Sequence, residues 1–426
     1  MSKPYQKHTF KNGLRLVFVP MKNTKAVTVL VLVGTGSKYE TKNINGISHF
    51  LEHMFFKGTK SKPTTAKLIE PLDRVGGEYN AFTDKEMTGY WAKVDAKHFQ
   101  VALDWVSDIL LNSKLEAKEI KREKGVIIEE INMYLDDPKR HIVDVWDELL
   151  YGDQPAGWNI TGKKELIKNL KRTHFIQYLQ SHYSASNTII AIAGNQEKIK
   201  NKKEEIKKNF KNISTIKAPL RGNFSEKQIK PEVKLEYKKT GQSHLCLGVR
   251  TFNIFHKDRY ILSVLANILG GGLSSRMWTS VRERKGLAYY VWTKTNLDSD
   301  AGFLAVRAGV NNEKTEEAIK TILDEYKKIR DIKVAKEELR KAKDYIKGTT
   351  ILSMESSDEQ AGFYAFQEVL ENRILTLEQI FAKIEAVTAR DIQRVAKDVF
   401  KPEKLNLALI GPFKNSQRFS RILTNF

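Results

Sequence analysis

The chain has 426 residues, 41% of them hydrophobic and 29% charged, which is too long for one ordinary core and suggests two domains of roughly 200 residues each. It holds no run of ~18 apolar residues that could cross a bilayer, no secretory pattern in its first residues, and one cysteine, Cys246, so an intrachain disulfide is excluded and a reducing, cytoplasmic setting is expected. The net charge of +21 comes from lysines scattered among glutamates, as over 314–328; this describes a solvated surface with some pull on acidic partners, and no nucleic-acid motif accompanies it.

In chain order, 9–36 predicts two strands, with Asn12-Gly13 as a hairpin turn signal and an apolar, β-branched run at 26–33. A helix follows over 46–56 and carries Ser48-His49-Phe50-Leu51-Glu52-His53. On a helix, His49 and His53 lie one turn apart on one face and can grip a single metal ion. Glu52 stands beside that face without being a ligand, where a base acting on a metal-bound water belongs. The order inverts the commoner His-Glu-x-x-His zinc helix. The competing reading is a helix whose histidines only cap or hydrogen-bond.

A catalytic zinc also needs a third protein ligand and an open position. The segment 116–135 predicts a helix ended by Asp136-Asp137-Pro138. On it Glu123, Ile127, Glu130 and Tyr134 share a face, so two carboxylates interrupt an apolar stripe. An unpaired carboxylate there is costly, and a buried cation removes the cost. Glu129 is rotated ~100° away. An ordinary Glu-rich surface helix is the competing reading.

The same signals recur later. A strand at 187–194 ends in glycine, and the polar stretch 213–232, with Pro219, Gly222 and Pro231, reads as a linker. Strands are predicted over 233–251, a helix over 260–269 before Gly270-Gly271-Gly272, and a strand at 405–411. The glycines that close the two matching strands, Gly194 and Gly411, are 217 residues apart. A repeat of this length predicts an α+β fold of two duplicated domains, each a mainly antiparallel sheet covered by helices: 1–214, a linker at 215–232, and 233–426.

Taken together, these residues resemble the inverzincin zinc peptidases, the family of pitrilysin, insulin-degrading enzyme and mitochondrial processing peptidase. The likeness spans nearly the whole chain and is closest to the short two-domain bacterial type. It is carried by Gly36-Ser37-Lys38-Tyr39-Glu40, by 49–59 ending in Lys57-Gly58-Thr59, by Gly76-Gly77-Glu78-Tyr79-Asn80-Ala81-Phe82-Thr83, and by Ser274-Ser275-Arg276 with 281–291. The family's third ligand, 77 positions after the second histidine, falls on Glu130, and its supporting glutamate falls on Glu123.

The resemblance implies one Zn²⁺ per chain on His49, His53 and Glu130, with Glu52 as the catalytic base and Glu123 orienting the ligands. It implies that Arg282 and Tyr289 contact substrate near the scissile bond, with Arg276, Arg284 and Tyr290 as rivals, and that the strand holding Asn80 and Ala81 receives an extended peptide. The 154–160 segment departs from the family at Trp158, which puts the local pocket shape in doubt. The 260–269 helix has no His-x-x-Glu-His.

Relatives enclose peptides in a chamber of four such domains, so this chain is expected to form half of one. A homodimer is expected, or a heterodimer with a silent subunit, without nucleic acid or membrane partners. The expected activity is a zinc endopeptidase acting on short or unfolded peptides. The alternatives are a processing peptidase trimming one precursor and a noncatalytic structural subunit.

Overall fold

The computed structural model describes residues 4–219, 221, 222 and 224–426. The chain forms two compact units, each assembled from three segments. One comprises Met1–Asn132, Trp158–Gly222 and Ile351–Thr376, and the other Met133–Gly157, Asn223–Thr350 and Leu377–Phe426. Among the described residues no helix is long and apolar enough to cross a membrane.

The first unit is built on six strands: β1 (Gln6–Thr9), β2 (Arg15–Met21), β3 (Ala26–Val33), β4 (Glu78–Thr83), β5 (Thr88–Asp95) and β6 (Thr188–Asn195). Their order across the sheet is β1-β2-β6-β3-β5-β4, with only β2 and β6 running parallel. The turn after β1 places Gly13 at φ +89°, a conformation glycine adopts without strain, where the Asn12-Gly13 signal predicts a hairpin.

The second unit has β7 (Glu232–Tyr237), β8 (Gln242–Thr251), β9 (Ala288–Leu297), β10 (Gly302–Asn311) and β11 (Leu405–Gly411), in the order β7-β11-β8-β10-β9. Lowering each number by five reproduces the order β2-β6-β3-β5-β4, with the parallel pair in the same place. The α+β duplication is therefore present strand for strand, and β1 is the addition.

The apolar strands are buried on both faces because each sheet lies between two sets of helices. The helices that concern the site are α1 (Ile47–Phe55), α2 (Thr65–Asp73), α3 (Phe99–Asn112), α4 (Ala117–Asp136) and α5 (Pro138–Tyr151). On β3, Val27, Val29, Val31 and Val33 face the core that also contains Phe50, Leu51 and Met54 of α1, Leu68 and Leu72 of α2, and Leu103 and Val106 of α3. Leu30 and Leu32 face the other way, onto Ala361, Tyr364 and Ala365 of the helix Ser357–Glu371.

That helix is encoded in the second half of the sequence. Its Glu368, fully buried, takes Lys7 at 2.6 Å and Arg15 at 3.2 Å, and its Ser357 hydroxyl lies 2.8 Å from that of Thr28. The second sheet is treated in the same manner by the first half. Ile142, Val145 and Trp146 of α5 pack on Cys246, Phe303, Ala408 and Ile410.

Candidate metal centre

The helix α1 begins at Gly46, whose φ of +96° and lack of side chain suit a tight entry. Its spacing buries Phe50, Leu51, Met54 and Phe55 and leaves His49, Glu52 and His53 along the border of the core. In α4, Ile120, Glu123, Ile127 and Ile131 are buried, and Glu130 lies half-buried one turn beyond Ile127. Glu129 is exposed and accepts a hydrogen bond from the Asn132 amide at 3.2 Å.

The two helices bring three donor atoms together. Glu130 Oε2 lies 3.6 Å from His49 Nε2 and 3.3 Å from His53 Nε2, and all three atoms fall within 4.8 Å of one another. Donors about 2.0–2.2 Å from a tetrahedral Zn²⁺ sit roughly 3.3–3.5 Å apart, so the group fits that ion in both chemistry and spacing. His53 Nδ1 donates to Glu123 Oε1 at 3.0 Å, which fixes the tautomer and leaves Nε2 for the cluster. Lys57 Nζ sits 2.7 Å from the other oxygen of Glu123 and offsets its charge. His49 Nδ1 is buried and has no hydrogen-bond partner among the described residues.

The electrostatics describe a pocket that draws positive charge. Hydrogen bonds to His49 and His53 hold the Glu130 carboxyl well below the usual carboxylate range despite burial. Burial opposes a charge on His53, yet its hydrogen bonds to Glu123 and Glu130 push it up to about 9. Burial raises Glu123, and the bonds to His53 and Lys57 more than reverse this. Glu52 goes the other way: burial raises it, against the Thr83 hydrogen bond and the nearby imidazoles. One carboxyl is thus tuned toward binding protons and its neighbours toward remaining anionic.

No sequence signal assigns Thr83 a role at the site. Its hydroxyl donates to Glu52 Oε2 at 2.6 Å from the end of β4. β4 is an edge strand, paired only with β5 among the described residues, and it packs beside α1. Asn80 is exposed on it, Ala81 is partly covered, and the Ala81 amide donates to the Asn80 side chain at 2.8 Å.

Arg282 and Tyr289 lie in the second unit, where a π-helical turn, Trp278–Arg284, leads into β9. The Arg282 guanidinium lies 4.0 Å over the Trp278 ring and 5.6 Å from that of Tyr289, which is 73% exposed. Two rivals are engaged elsewhere. Arg276 grips Glu338 through two hydrogen bonds of 2.8 and 2.7 Å. The Tyr290 hydroxyl bonds His244 Nδ1 at 2.8 Å, and its ring stacks on Trp292. Arg284 is exposed.

Comparison with known proteins gives a consistent likeness. Residues 16–163 match the family described as insulinase (peptidase family M16), and residues 169–346 match the peptidase M16 inactive domain. An uncharacterized zinc protease of Bacillus subtilis is 36% identical, over 96% of this chain and 99% of that protein. One of Streptomyces coelicolor is 30% identical, over 96% and 90%. The crystal structure of a protease from Helicobacter pylori, 26% identical, superposes with a TM-score of 0.90 over 96% of this chain and 99% of its own. A peptidase M16 inactive domain from Pseudomonas fluorescens, 17% identical, shares the fold with a TM-score of 0.88 over 96% and 98%.

Proposed function

The chain belongs to the M16 peptidase family, a family of metalloproteases, and from that premise we propose that it is a zinc-dependent endopeptidase cleaving short or unfolded peptides. The observation that carries this reading is the convergence of His49, His53 and Glu130 with Glu52 held alongside by Thr83. His49, His53 and Glu130 hold one zinc ion per chain. Such an ion supplies Lewis acidity toward a carbonyl oxygen and toward water.

The remaining chemistry belongs to the protein. Glu52, its carboxyl raised by burial, takes the proton of the attacking water and hands it to the leaving amine. Thr83 fixes which oxygen of Glu52 is free for that exchange. Glu123 keeps His53 in one tautomer, and Lys57 keeps Glu123 ionised. Tyr289 and Arg282 are proposed to contact the substrate chain. The free edge of β4 at Asn80 and Ala81 receives the substrate as an added strand, and backbone pairing of this kind reads little sequence.

Cleavage of a quenched, unstructured peptide by the purified protein, abolished by a chelator and restored by zinc, is the expected result. A folded, zinc-loaded protein that cuts no peptide would refute the reading. We infer a homodimer, because the chain carries two of the four domains with which the family it resembles encloses peptides, and because one chain holds both the zinc helix and the Arg282–Tyr289 segment. Light scattering should give twice the chain mass, and a fully active monomer would refute the homodimer.

A further inference from the structure

The zinc helix α1 lacks an ordinary cap. Ser, Thr, Asp or Asn at the N-cap position usually accepts a hydrogen bond from the second or third backbone N–H of a helix, but here that position is Gly46. No side chain fits there. A Cβ on Gly46 would meet the Thr161 carbonyl at 2.7 Å, Ile167 Cδ1 at 2.8 Å and Gly162 Cα at 2.9 Å, and the φ of +96° disfavours any other residue.

The acceptor comes instead from Glu40, six residues upstream. Its Oε1 accepts from Ser48 N at 2.8 Å, and its Oε2 accepts from Gly46 N at 2.8 Å and from Asn45 Nδ2 at 2.9 Å. The same Asn45 amide donates to the Asn159 carbonyl at 3.0 Å. Ser48 is held at its other end too, its hydroxyl 2.8 Å from that of Tyr178, which in turn lies 3.0 Å from Thr35 Oγ1. Glu40 is 4% exposed, and its partners among the described residues are the neutral donors of Asn45, Gly46 and Ser48. A buried carboxylate without a cation is costly unless its hydrogen bonds and the positive end of a helix offset the loss of water.

We infer that Glu40 is a positioning residue for the metal centre: it replaces the missing N-cap of α1 and thereby sets the seat of His49, the residue after Ser48. The inference rests on His49, His53 and Glu130 being zinc ligands. Burial moves the Glu40 carboxyl up to about 7, and the bonds from Ser48, Gly46 and Asn45 act against that rise. An amide of the same shape cannot replace it. In Glu40→Gln one end of the side chain becomes a donor facing a backbone N–H, and one of the two cap bonds must break.

The test compares wild type, Glu40→Gln and Glu40→Asp. It measures zinc affinity against a chromophoric chelator, the visible spectrum of the cobalt(II)-substituted protein, kcat and KM on a quenched peptide, and thermal unfolding. Glu40→Gln is expected to bind zinc roughly 10- to 100-fold more weakly, as removal of a group supporting a ligand does. It should shift the cobalt bands and lose kcat with little change in KM. Glu40→Asp keeps the anion on a shorter arm and should fall between the two.

Unchanged zinc affinity and cobalt bands in Glu40→Gln, with only a lower unfolding temperature, would overturn the inference, and so would failure of both variants to fold. If the wild type binds zinc but cuts nothing, the peptidase reading fails by itself, and affinity and spectrum still decide the role of Glu40.

Discussion

Glu52 shares a helical turn with His49 and His53, yet its Oε2 accepts from the Thr83 hydroxyl and the three converging donors are His49, His53 and Glu130. On the proposed reading Glu52 is the base and the other three are the ligands, so metal binding and turnover should separate at this one residue. Glu52→Gln should leave zinc content unchanged while turnover falls by about 10²–10⁴-fold, the usual range for loss of a positioned base. Metal analysis beside a peptide assay checks it, and equal activity would eliminate the role. Thr83→Val keeps the volume and removes the donor. A hydrogen bond to a charged group is worth about 1.5–3 kcal/mol, so kcat should drop roughly ten-fold or more with KM nearly constant. A change confined to KM would show that Thr83 serves substrate binding and not Glu52.

At the level of elements, α5 is fastened to the edge of the second sheet by His141. Its Nε2 lies 2.9 Å from Glu236 of β7 and its Nδ1 3.3 Å from Asp144 of its own helix. Burial opposes protonation of His141, but these two carboxylates push it up to about 9 from an ordinary 6.5. A folded-state value above the unfolded one means the clasp stabilises fully below about pH 6.5 and fades as pH rises through 9. The unfolding temperature should therefore fall between pH 7 and 9.5, and His141→Gln should flatten that slope. An unchanged slope in the variant would assign the effect to other groups. The same scale explains why Arg282 and Tyr289 differ from their neighbours. Arg276 and Tyr290 spend their polar atoms on Glu338 and His244, while Tyr289 projects from β9 into solvent.

For the whole molecule, the consequence is that neither half of the sequence covers its own sheet. A chain ending at residue 214 lacks the helix Ser357–Glu371 and exposes Leu30, Leu32, Ile189 and Ala191. A chain starting at residue 233 lacks α5 and exposes Cys246, Phe303, Ala408 and Ile410. Each half expressed alone should aggregate or bind a hydrophobic dye, since contiguous apolar patches of this kind are seldom left open. Co-expression of the two halves does not restore α5 to a second chain that begins at 233 unless the first extends through Tyr151, which 1–214 does. The pair should therefore assemble and unfold cooperatively. Two halves that are each monomeric and stable alone would contradict the exchange.

Local periodicity made much of this protein readable. The i, i+4 spacing of His49 and His53, the face holding Glu123, Ile127 and Glu130, and the strand signals at 26–33, 187–194 and 405–411 depend on residues close in sequence, and from the strand signals and their repeat the duplicated α+β fold follows. Contacts made by ordinary residue types over long separations were not readable. Thr83 reaches Glu52 across 31 positions, and nothing distinguishes it from any other strand threonine until the two side chains meet. Glu40 stands in a segment that carries the family likeness, but its capping role is not legible there, because the steric closure around Gly46 that calls for a distant cap exists only once Thr161 and Ile167 are packed there. The exchange of α5 and Ser357–Glu371 was invisible for the same reason. An amphipathic helix announces that it has an apolar face, and only the assembled sheets decide which of two similar surfaces it covers.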